Sequence, residues 1–459
     1  MTDPLDYMPV QEIPEAIRQR RASAAEVVDA YLARASAARD EFNCYLAIAE
    51  RHARDAAKTI DALPEDEKAR LPLLGVPVAL KDNIATQGIE TTAGSPIMRG
   101  WHPTEDAPLV ATLRAAGAVI LGKLNLWQFA LRSAHPDFGE VRNPWDPRKG
   151  CAGSSSGAGA AVACGAAPIA FGTDTAGSLR LPAAVCGVTG FKPTYGLLPT
   201  DGILPASPLL DHVGPLTRTA AEARSVFDAL ISTAQGSSAD DVPHIRNFRI
   251  GVPLPQSDSY IDPAMAAAVE AAVATLERAG AIIVEVDLPA YTAVSWIVHT
   301  LAAPEIADVH RRAVSREPRA YSPDVRQQIL TGSLIPAPLY IQARRMQGTL
   351  TRRFDAIFER VDAIACPVIP MPAWDIDDNA RVEIDGEQYD ALAAMTLYCP
   401  PANLAGLPAI SLPAGFNADG LPLAFQLIGP RLQDRKLLNI ARLYQSQTDW
   451  HTRRPNAHV

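Results

Sequence analysis

Apolar residues along this chain alternate between helical spacing and the short unbroken runs that are typical of buried strands. The segment 22–35 predicts a helix, because Ser23 and Glu26 have the spacing of a capping box and apolar residues follow on one face. Residues 74–84 predict a strand that ends in charged residues. The same reading predicts a helix and a strand in 107–125, a strand–helix–strand unit over 248–289, strands at 362–368, 408–414 and 422–429, and a last helix from about Asp434.

This alternation predicts an α/β fold, a single large domain whose central mixed, mostly buried β-sheet is covered by helices on both faces. We expect a helical segment over about 1–70, a core over about 71–230, and a C-terminal part over about 247–459 that completes the sheet and the substrate pocket. The polar stretch 234–247 is the best linker candidate, but neither flank forms a complete core, so we interpret it as an exposed loop. Residues 314–345 predict either a mobile cover over a site or an ordinary surface helix pair.

Composition narrows the classes of partner. The 459 residues are 48% hydrophobic and carry a net charge of −9, which disfavours nucleic acid and anionic membranes. The densest arginine cluster, 343–353, has the spacing of a solvated helix face. The start of the chain lacks the pattern of a secretory signal and no apolar run is long enough to span a membrane, so we expect a cytoplasmic protein. The six cysteines show no C-x-x-C pair, so no metal is expected.

Candidate chemistry lies in two neighbouring stretches rich in glycine and serine, 152–160 and 172–180. A phosphate-binding loop is disfavoured because no lysine follows the glycines, and residues 157–162 do not complete a dinucleotide-binding pattern, so we expect no cofactor. A nucleophile elbow centred on Ser155 fits G-x-S-x-G, but the turn-rich stretch 143–150 precedes it where a strand is required. An esterase of the α/β-hydrolase type that uses Ser155 is therefore an alternative reading.

The second stretch fits a nucleophile better. Residues 167–187 run as an apolar strand, a turn of small residues and a helix, which places Ser178 at a strand-to-helix turn. The small residues before it leave backbone N–H groups open to a developing oxyanion. Lys81 ends an apolar strand, where burial would lower its pKa and make it a candidate base, and a hydroxyl of the serine run could relay the proton.

The chain resembles the amidase signature family in motif order and spacing from about residue 20 to 450, over the segments 75–95, 122–130, 143–165, 172–196 and 401–429. The resemblance implies a Ser–cis-Ser–Lys triad, with Ser178 as nucleophile, Ser154 as the bridging serine and Lys81 as base. Ser154 precedes Ser178 by 24 residues, as in the family.

The resemblance also implies an oxyanion hole, formed by the backbone N–H groups of Thr175, Ala176, Gly177 and Ser178. Asp174 and Arg180 match charged positions that flank the nucleophile, and we interpret them, with Ser155, as supports of the loop. Activity is expected to rise toward alkaline pH as Lys81 loses its proton.

The chain departs from the family pattern at positions that affect backbone strain and at positions that affect the substrate pocket. Ala152 and Ala176 replace residues that are often glycine, and strain is expected wherever φ is positive. Acidic residues are common in the family where Trp127 and Gln128 stand, which predicts a more apolar pocket. The candidate pocket residues are Trp127, Gln128, Phe129, Met395 and Tyr398.

The expected substrate is a neutral small molecule, an amide, anilide or carbamate, cleaved at its C–N bond by a monomer or homodimer. The main alternative is a glutamine-hydrolysing amidotransferase subunit. Such subunits carry an acidic residue shortly before the segment that matches 401–406, where this chain has Thr396, and this argues against glutamine.

Overall fold

The structure is a computed structural model that describes residues 7–231, 248–257, 259–377 and 381–455. The proposed linker 234–247 therefore lies outside the described residues. The strands are β1 (Tyr45–Ile48), β2 (Pro77–Lys81), β3 (Val119–Leu124), β4 (Arg142–Asn143), β5 (Asp146–Gly150), β6 (Ile169–Asp174), β7 (Thr189–Lys192), β8 (His212–Thr217), β9 (Arg249–Pro253), β10 (Ile282–Val286), β11 (Ala363–Pro367), β12 (Arg381–Ile384), β13 (Glu387–Asp390), β14 (Ala409–Phe416) and β15 (Pro422–Ile428).

The helices alternate with these strands, as the apolar pattern predicts. They are α1 (Glu12–Arg18), α2 (Ala24–Phe42), α3 (Glu50–Asp61), α4 (Glu65–Arg70), α5 (Pro108–Ala115), α6 (Ser156–Ala163), α7 (Arg180–Val185), α8 (Ala220–Ile231), α9 (Pro263–Arg278), α10 (Tyr291–Arg316), α11 (Pro323–Gly332), α12 (Ala337–Phe358), α13 (Ala391–Met395), α14 (Pro400–Leu404) and α15 (Asp434–Ser446).

Local sequence signals explain several boundaries. Helix α2 begins with the predicted capping box, in which Ser23 accepts from the Glu26 N–H and the Glu26 carboxylate accepts from the Ser23 N–H. Asp262 caps the start of α9, where its carboxylate accepts from the N–H groups of Ala264 and Met265.

One mixed sheet runs through the molecule in the order β1-β3-β2-β6-β8-β7-β14-β15-β11-β9-β10. Strands β2, β3 and β6 are parallel, β9 is parallel to β10 and β11, and β8 is antiparallel to β6. This confirms the single α/β domain with a mixed sheet flanked by helices. In the described part of the predicted helical segment, residues 7–70, four helices are joined by β1, which contributes an edge strand to the sheet.

The segment 314–345 contains the end of α10, all of α11 and the start of α12. Of the two predictions for it, a mobile cover or a surface helix pair, this helical structure fits the second. Helix α11 packs against α10, and Gln328 of α11 reaches the cavity described below. That this segment moves as a cover stays a prediction.

Candidate active site

The site lies where the carboxyl ends of two parallel strands meet. Leu80 of β2 is in register with Phe171 of β6, so Lys81, the last residue of β2, lies beside the end of β6. Strand β8 begins at the same edge, with His212 in register with Asp174. The sheet thus gathers residues that are far apart in sequence, as is usual at this edge of α/β folds.

Lys81 is fully buried and contacts two hydroxyl groups. Its Nζ lies 2.8 Å from Ser154 Oγ and 2.7 Å from Thr173 Oγ1. Burial lowers the pKa of Lys81 to about 7, against the opposing attraction of the Asp211 and Asp174 carboxylates. A large fraction of Lys81 is therefore uncharged near neutral pH, the form that can accept a proton.

Ser154 sits on a loop that is covered by a second loop, the one that carries Trp127. The Gly153–Ser154 peptide bond is cis, as the resemblance implied. The Ser154 carbonyl accepts from the Trp127 N–H at 3.3 Å, and a Cβ on Gly153 would lie 2.2 Å from the Trp127 ring. Only glycine allows this approach. Ala152 has φ 53°, so the strain expected of a replaced glycine applies there.

Ser155 joins the two serine stretches and is not placed as a nucleophile. Its N–H donates to the Ser178 carbonyl at 3.0 Å. Its Oγ donates to the Thr173 carbonyl at 3.1 Å and accepts from the Thr173 N–H at 3.2 Å, and the residue is fully buried. A hydroxyl with both roles occupied and no exposure is a poor nucleophile, which disfavours the esterase reading with Ser155.

A buried ion pair holds the turn that carries Ser178. Arg180 Nε donates to Asp174 Oδ2 at 2.9 Å, and both side chains are fully buried. The Arg180 guanidinium also donates to Gln426 Oε1 at 2.7 Å and to Asn403 Oδ1 at 2.7 Å. Burial alone would raise the pKa of Asp174, but the Arg180 charge and hydrogen bonds outweigh it and hold that pKa well below its usual value. These contacts agree with the interpretation of Asp174 and Arg180 as supports.

The four predicted oxyanion donors differ in their availability. The Gly177 N–H donates to Asp174 Oδ1 at 2.7 Å, so its hydrogen is already engaged and the expectation that Gly177 serves as a free donor is not met. Among the described residues, the N–H groups of Thr175, Ala176 and Ser178 have no hydrogen-bond acceptor. Ala176 does not belong to the described residues with positive φ, so its replacement of glycine adds no strain of that kind.

Ser178 faces a cavity of about 320 Å³ together with Thr175, Ala176 and Gly153. The side chain of Ser178 makes no hydrogen bond within the described part of the chain, so its hydroxyl is not engaged with Ser154 in this state. Catalytic hydrogen bonds often tighten only when substrate binds. Most of the remaining wall is apolar and includes Trp127, Leu131, Val298, Ala302, Ile306, Leu392, Met395 and Pro400. Its further polar residues are Arg132, Ser295, His299, Gln328, Asp390 and Thr396.

Two of the five predicted pocket residues, Trp127 and Met395, line this cavity, and three do not. Gln128 is fully buried beside it, where its amide donates to the Ala320 carbonyl at 2.8 Å and accepts from the Ser322 N–H at 2.9 Å. Gln128 thus ties the segment before α11 to the core. The error arose because neighbouring residues in a turn point in different directions.

Phe129 and Tyr398 are also packing residues and not pocket walls. The Phe129 ring lies 4.5 Å from the His310 ring, and the Tyr398 hydroxyl donates to the Tyr260 carbonyl at 2.9 Å. Both therefore belong to the core contacts around the site.

Sequence reasoning missed two residues in contact with the site. Thr173 holds Lys81, and Asp211 accepts from the Thr175 hydroxyl at 2.6 Å. Burial raises the pKa of Asp211 to about 6. A carboxylate directly before the strand β8 was a visible signal, but only the sheet order places it near the turn.

The described residues contain neither a metal-binding cluster nor a membrane-spanning helix. No group of His, Cys, Asp and Glu side chains there is arranged to hold a metal ion. No described helix has both the length and the apolar character required to cross a bilayer.

Known proteins resemble this chain over nearly its whole length. A family model described as Amidase matches residues 26–438. The chain is 36% identical to a subunit of the glutamyl-tRNA(Gln) amidotransferase of Symbiobacterium thermophilum, with 94% of this chain and 95% of the relative covered. A relative of the same description from Roseiflexus castenholzii is 37% identical over 98% of both chains.

A solved structure also has the same fold. The native peptide amidase of Stenotrophomonas maltophilia is 29% identical and superposes with a TM-score of 0.85, over 99% of this chain and 100% of the other. The family match covers most of the chain and contains Lys81, Ser154 and Ser178. The protein therefore belongs to the amidase signature family, whose members act on C–N bonds.

Proposed function

We propose that this protein hydrolyses small, neutral, largely apolar amides, anilides or carbamates through an acyl-enzyme on Ser178. The observation that carries the proposal is the 2.8 Å contact between Lys81 Nζ and Ser154 Oγ, buried beside the cavity that Ser178 lines. The contact supports a two-step transfer from Ser178 to the lysine, because Ser154 can accept one proton while it gives up its own.

In the acylation step, uncharged Lys81 takes the Ser154 hydroxyl proton as Ser154 takes that of Ser178. The Ser178 oxygen attacks the carbonyl carbon and the carbonyl oxygen becomes an oxyanion. The C–N bond then breaks, and the proton returns through Ser154 to the departing nitrogen. Water then attacks the acyl carbon while its proton passes through Ser154 to Lys81. The bond between the acyl carbon and the Ser178 oxygen breaks, the proton returns through Ser154 to that oxygen, and the acid is released.

The oxyanion is assigned to the free N–H groups of Thr175, Ala176 and Ser178. Removing one such donor costs about 3–4 kcal/mol of transition-state stabilisation in comparable enzymes. Asp174 contributes indirectly, because its hydrogen bond to the Gly177 N–H fixes the turn in which the donors lie.

The substrate class follows from the wall of the cavity. Trp127, Leu131, Ile306 and Met395 offer apolar surface to an acyl or aryl group. The wall favours a neutral substrate over one with several charges.

Glutamine is the second candidate. The relatives described as subunits of glutamyl-tRNA(Gln) amidotransferase favour it, and so does one pair of charges. Arg132 and Asp390 both line the cavity with 4.0 Å between their nearest charged atoms, and such a pair could meet the carboxylate and ammonium of an amino acid. Thr396, at a position where an acidic residue was expected for glutamine, argues the other way.

A substrate panel separates the two candidates. Hydrolysis of a p-nitroanilide, an aryl carbamate, a short aliphatic amide and glutamine is measured with the wild type, Ser178→Ala and Ser156→Ala. Ser156 is the matched control because it is buried at the start of α6, directly after the loop that carries Ser154, and its Oγ has no partner among the described residues. We expect hydrolysis of a neutral substrate, loss in Ser178→Ala, retention in Ser156→Ala, and an acyl adduct on Ser178 by mass spectrometry. Glutamine as the only substrate cleaved would contradict the proposal in favour of the amidotransferase reading.

A further inference from the structure

We infer that Asp211 is a positioning residue for the reaction, one that fixes the oxyanion turn by holding the Thr175 side chain. This inference rests on the proposed function and adds to it a residue outside the triad. Asp211 does not line the cavity that holds Ser178, so it acts through other groups and not on substrate.

The Asp211 carboxylate is held at both oxygens. Oδ1 accepts from the Thr175 hydroxyl at 2.6 Å. Oδ2 accepts from the N–H groups of Ala206 at 2.9 Å and Ser207 at 3.0 Å. With three donors on a buried carboxylate, neither oxygen is free to rotate away, so the position of Thr175 is fixed relative to the loop 206–211.

That loop is in turn tied to the helices over the cavity. Glu305 of α10 accepts from the Ser207 hydroxyl at 2.6 Å and from the Leu209 N–H at 3.2 Å. Its other oxygen accepts from the Tyr340 hydroxyl of α12 at 2.9 Å. Helix α10 also supplies Ile306 to the cavity wall, so one chain of hydrogen bonds joins the substrate-facing helix to the oxyanion turn.

Thr175 is the point where this chain reaches the chemistry. Its backbone N–H is the first of the three free donors, and its side chain is the group that Asp211 holds. A donor displaced by a few tenths of an ångström loses much of its value, because its hydrogen bond weakens steeply with distance and angle. The clamp therefore acts on kcat more than on the binding of the ground-state substrate.

The second action of Asp211 is electrostatic. The carboxylates of Asp211 and Asp174 each favour the protonated form of Lys81 and so raise its pKa against the effect of burial. Burial, with a smaller contribution from Asp211, raises the pKa of Tyr195. Burial lowers the pKa of His212 well below its usual value, so this neighbour of Asp211 is neutral in the working range.

Further charges lie one step away. Arg180 balances Asp174 directly, and Lys192 lies close enough to influence both Asp174 and His212. Glu305 contributes a charge on the far side of the loop 206–211. Because Arg180 already compensates Asp174, Asp211 is the carboxylate whose removal changes the field at Lys81 without breaking an ion pair.

The test breaks the hydrogen bond between Thr175 and Asp211 from each side in turn. Thr175→Val removes the hydroxyl and leaves the Asp211 carboxyl group in place, Thr175→Ser keeps the hydroxyl, and Asp211→Asn replaces the carboxylate by an amide. We expect kcat to fall at least about tenfold in Thr175→Val with KM changed less than threefold, and Thr175→Ser to recover most of that loss. In Asp211→Asn we expect a similar fall in kcat, because the amide offers one oxygen where the carboxylate offers two to the donors of Thr175, Ala206 and Ser207. The acid limb of kcat/KM should also move to lower pH, because the protonated form of Lys81 loses the attraction of a carboxylate.

Two further measurements distinguish a local effect on the oxyanion turn from a loss of folding. Thermal unfolding and circular dichroism establish that each variant is folded, and the labelling rate of Ser178 by a fluorophosphonate probe reports the oxyanion turn without an amide substrate. Wild-type kcat and labelling rate in folded Thr175→Val, or in folded Asp211→Asn, would overturn the inference. Failure of the proposed function would instead appear in the wild type, as hydrolysis of no neutral substrate.

Discussion

Lys81 Nζ and Ser154 Oγ lie 2.8 Å apart in a part of the protein that water does not reach. Burial lowers the pKa of the lysine to about 7 from a usual value near 10.5, and the base in the proposed mechanism is the uncharged form. We therefore expect kcat/KM to rise about tenfold per pH unit below pH 7 and to level off above it. The measurement is a pH–rate profile under conditions where chemistry limits the rate. A limb centred near pH 10, or none at all, would contradict a buried lysine base.

Gly177 supports a prediction about the turn that carries the nucleophile. It has φ +116°, and a Cβ there would lie 2.6 Å from the Cβ of Cys399, so Gly177→Ala must shift the turn. We expect kcat to fall about 100-fold, because the neighbouring N–H donors move with it. Gly420→Ala is the matched control, with φ +77° and open space around the position. We expect this control to lose about 1 kcal/mol of stability and no activity. Equal activity in both variants would show that the turn does not depend on Gly177.

The ion pair between Asp174 and Arg180 supports a prediction about stability. Arg180→Met leaves a buried carboxylate without its cation, and such a loss costs about 3–5 kcal/mol. We expect the midpoint of urea unfolding, followed by circular dichroism, to fall markedly. Arg148→Met is the control, since Arg148 pairs with Asp146 at 2.8 Å but is 84% exposed, and its loss should leave the midpoint almost unchanged. Similar small effects in both variants would mean that the buried pair does not stabilise the turn.

The pH dependence of stability has a definite sign at Asp174. The folded-state pKa of this carboxyl lies below its unfolded value, so the pair stabilises the native state above the unfolded pKa near 3.8. That contribution is lost as the pH falls further. We expect the difference in unfolding free energy between the wild type and an Asp174→Asn, Arg180→Met double variant to shrink between pH 5 and about 2, as measured by urea unfolding at several pH values.

The sequence predicts the alternating elements because apolar spacing and capping residues are local signals. Strands β2 and β6 lie inside the predicted segments, while α2 starts as predicted and continues seven residues beyond the predicted end, to Phe42. It also indicates Lys81, Ser154 and Ser178, because their motifs are specific. Asp211 is different, since its role depends on β8 lying antiparallel to β6. No local pattern encodes that neighbourhood.

Side-chain direction inside a turn is the other limit. Trp127 and Gln128 are adjacent, yet the first faces the cavity and the second is bonded to Ser322 away from it. The sequence likewise does not reveal whether a backbone N–H in a turn is free to bind an oxyanion. Gly177 is predicted with its neighbours as an oxyanion donor, and only the position of Asp174 Oδ1 shows that its hydrogen is already engaged.

The apolar wall of the cavity gives a prediction about substrate size. Ala302 lies on α10 and lines the cavity, so Ala302→Leu places additional side-chain volume in the space assigned to the acyl or aryl group. We expect kcat/KM for the bulkiest neutral amide cleaved to fall about tenfold or more, since a misfit of one or two methylene groups in an apolar pocket is worth about 1–3 kcal/mol. The value for a short aliphatic amide should change much less, because that substrate leaves the filled space empty. Val309→Leu on the same helix is the control. Because Val309 is 39% exposed, the larger side chain there extends into solvent and not into the cavity. If Ala302→Leu slowed short and bulky substrates equally while Val309→Leu slowed neither, the wall would be acting on the catalytic turn and not on substrate size, and the assignment of this cavity as the acyl pocket would be wrong.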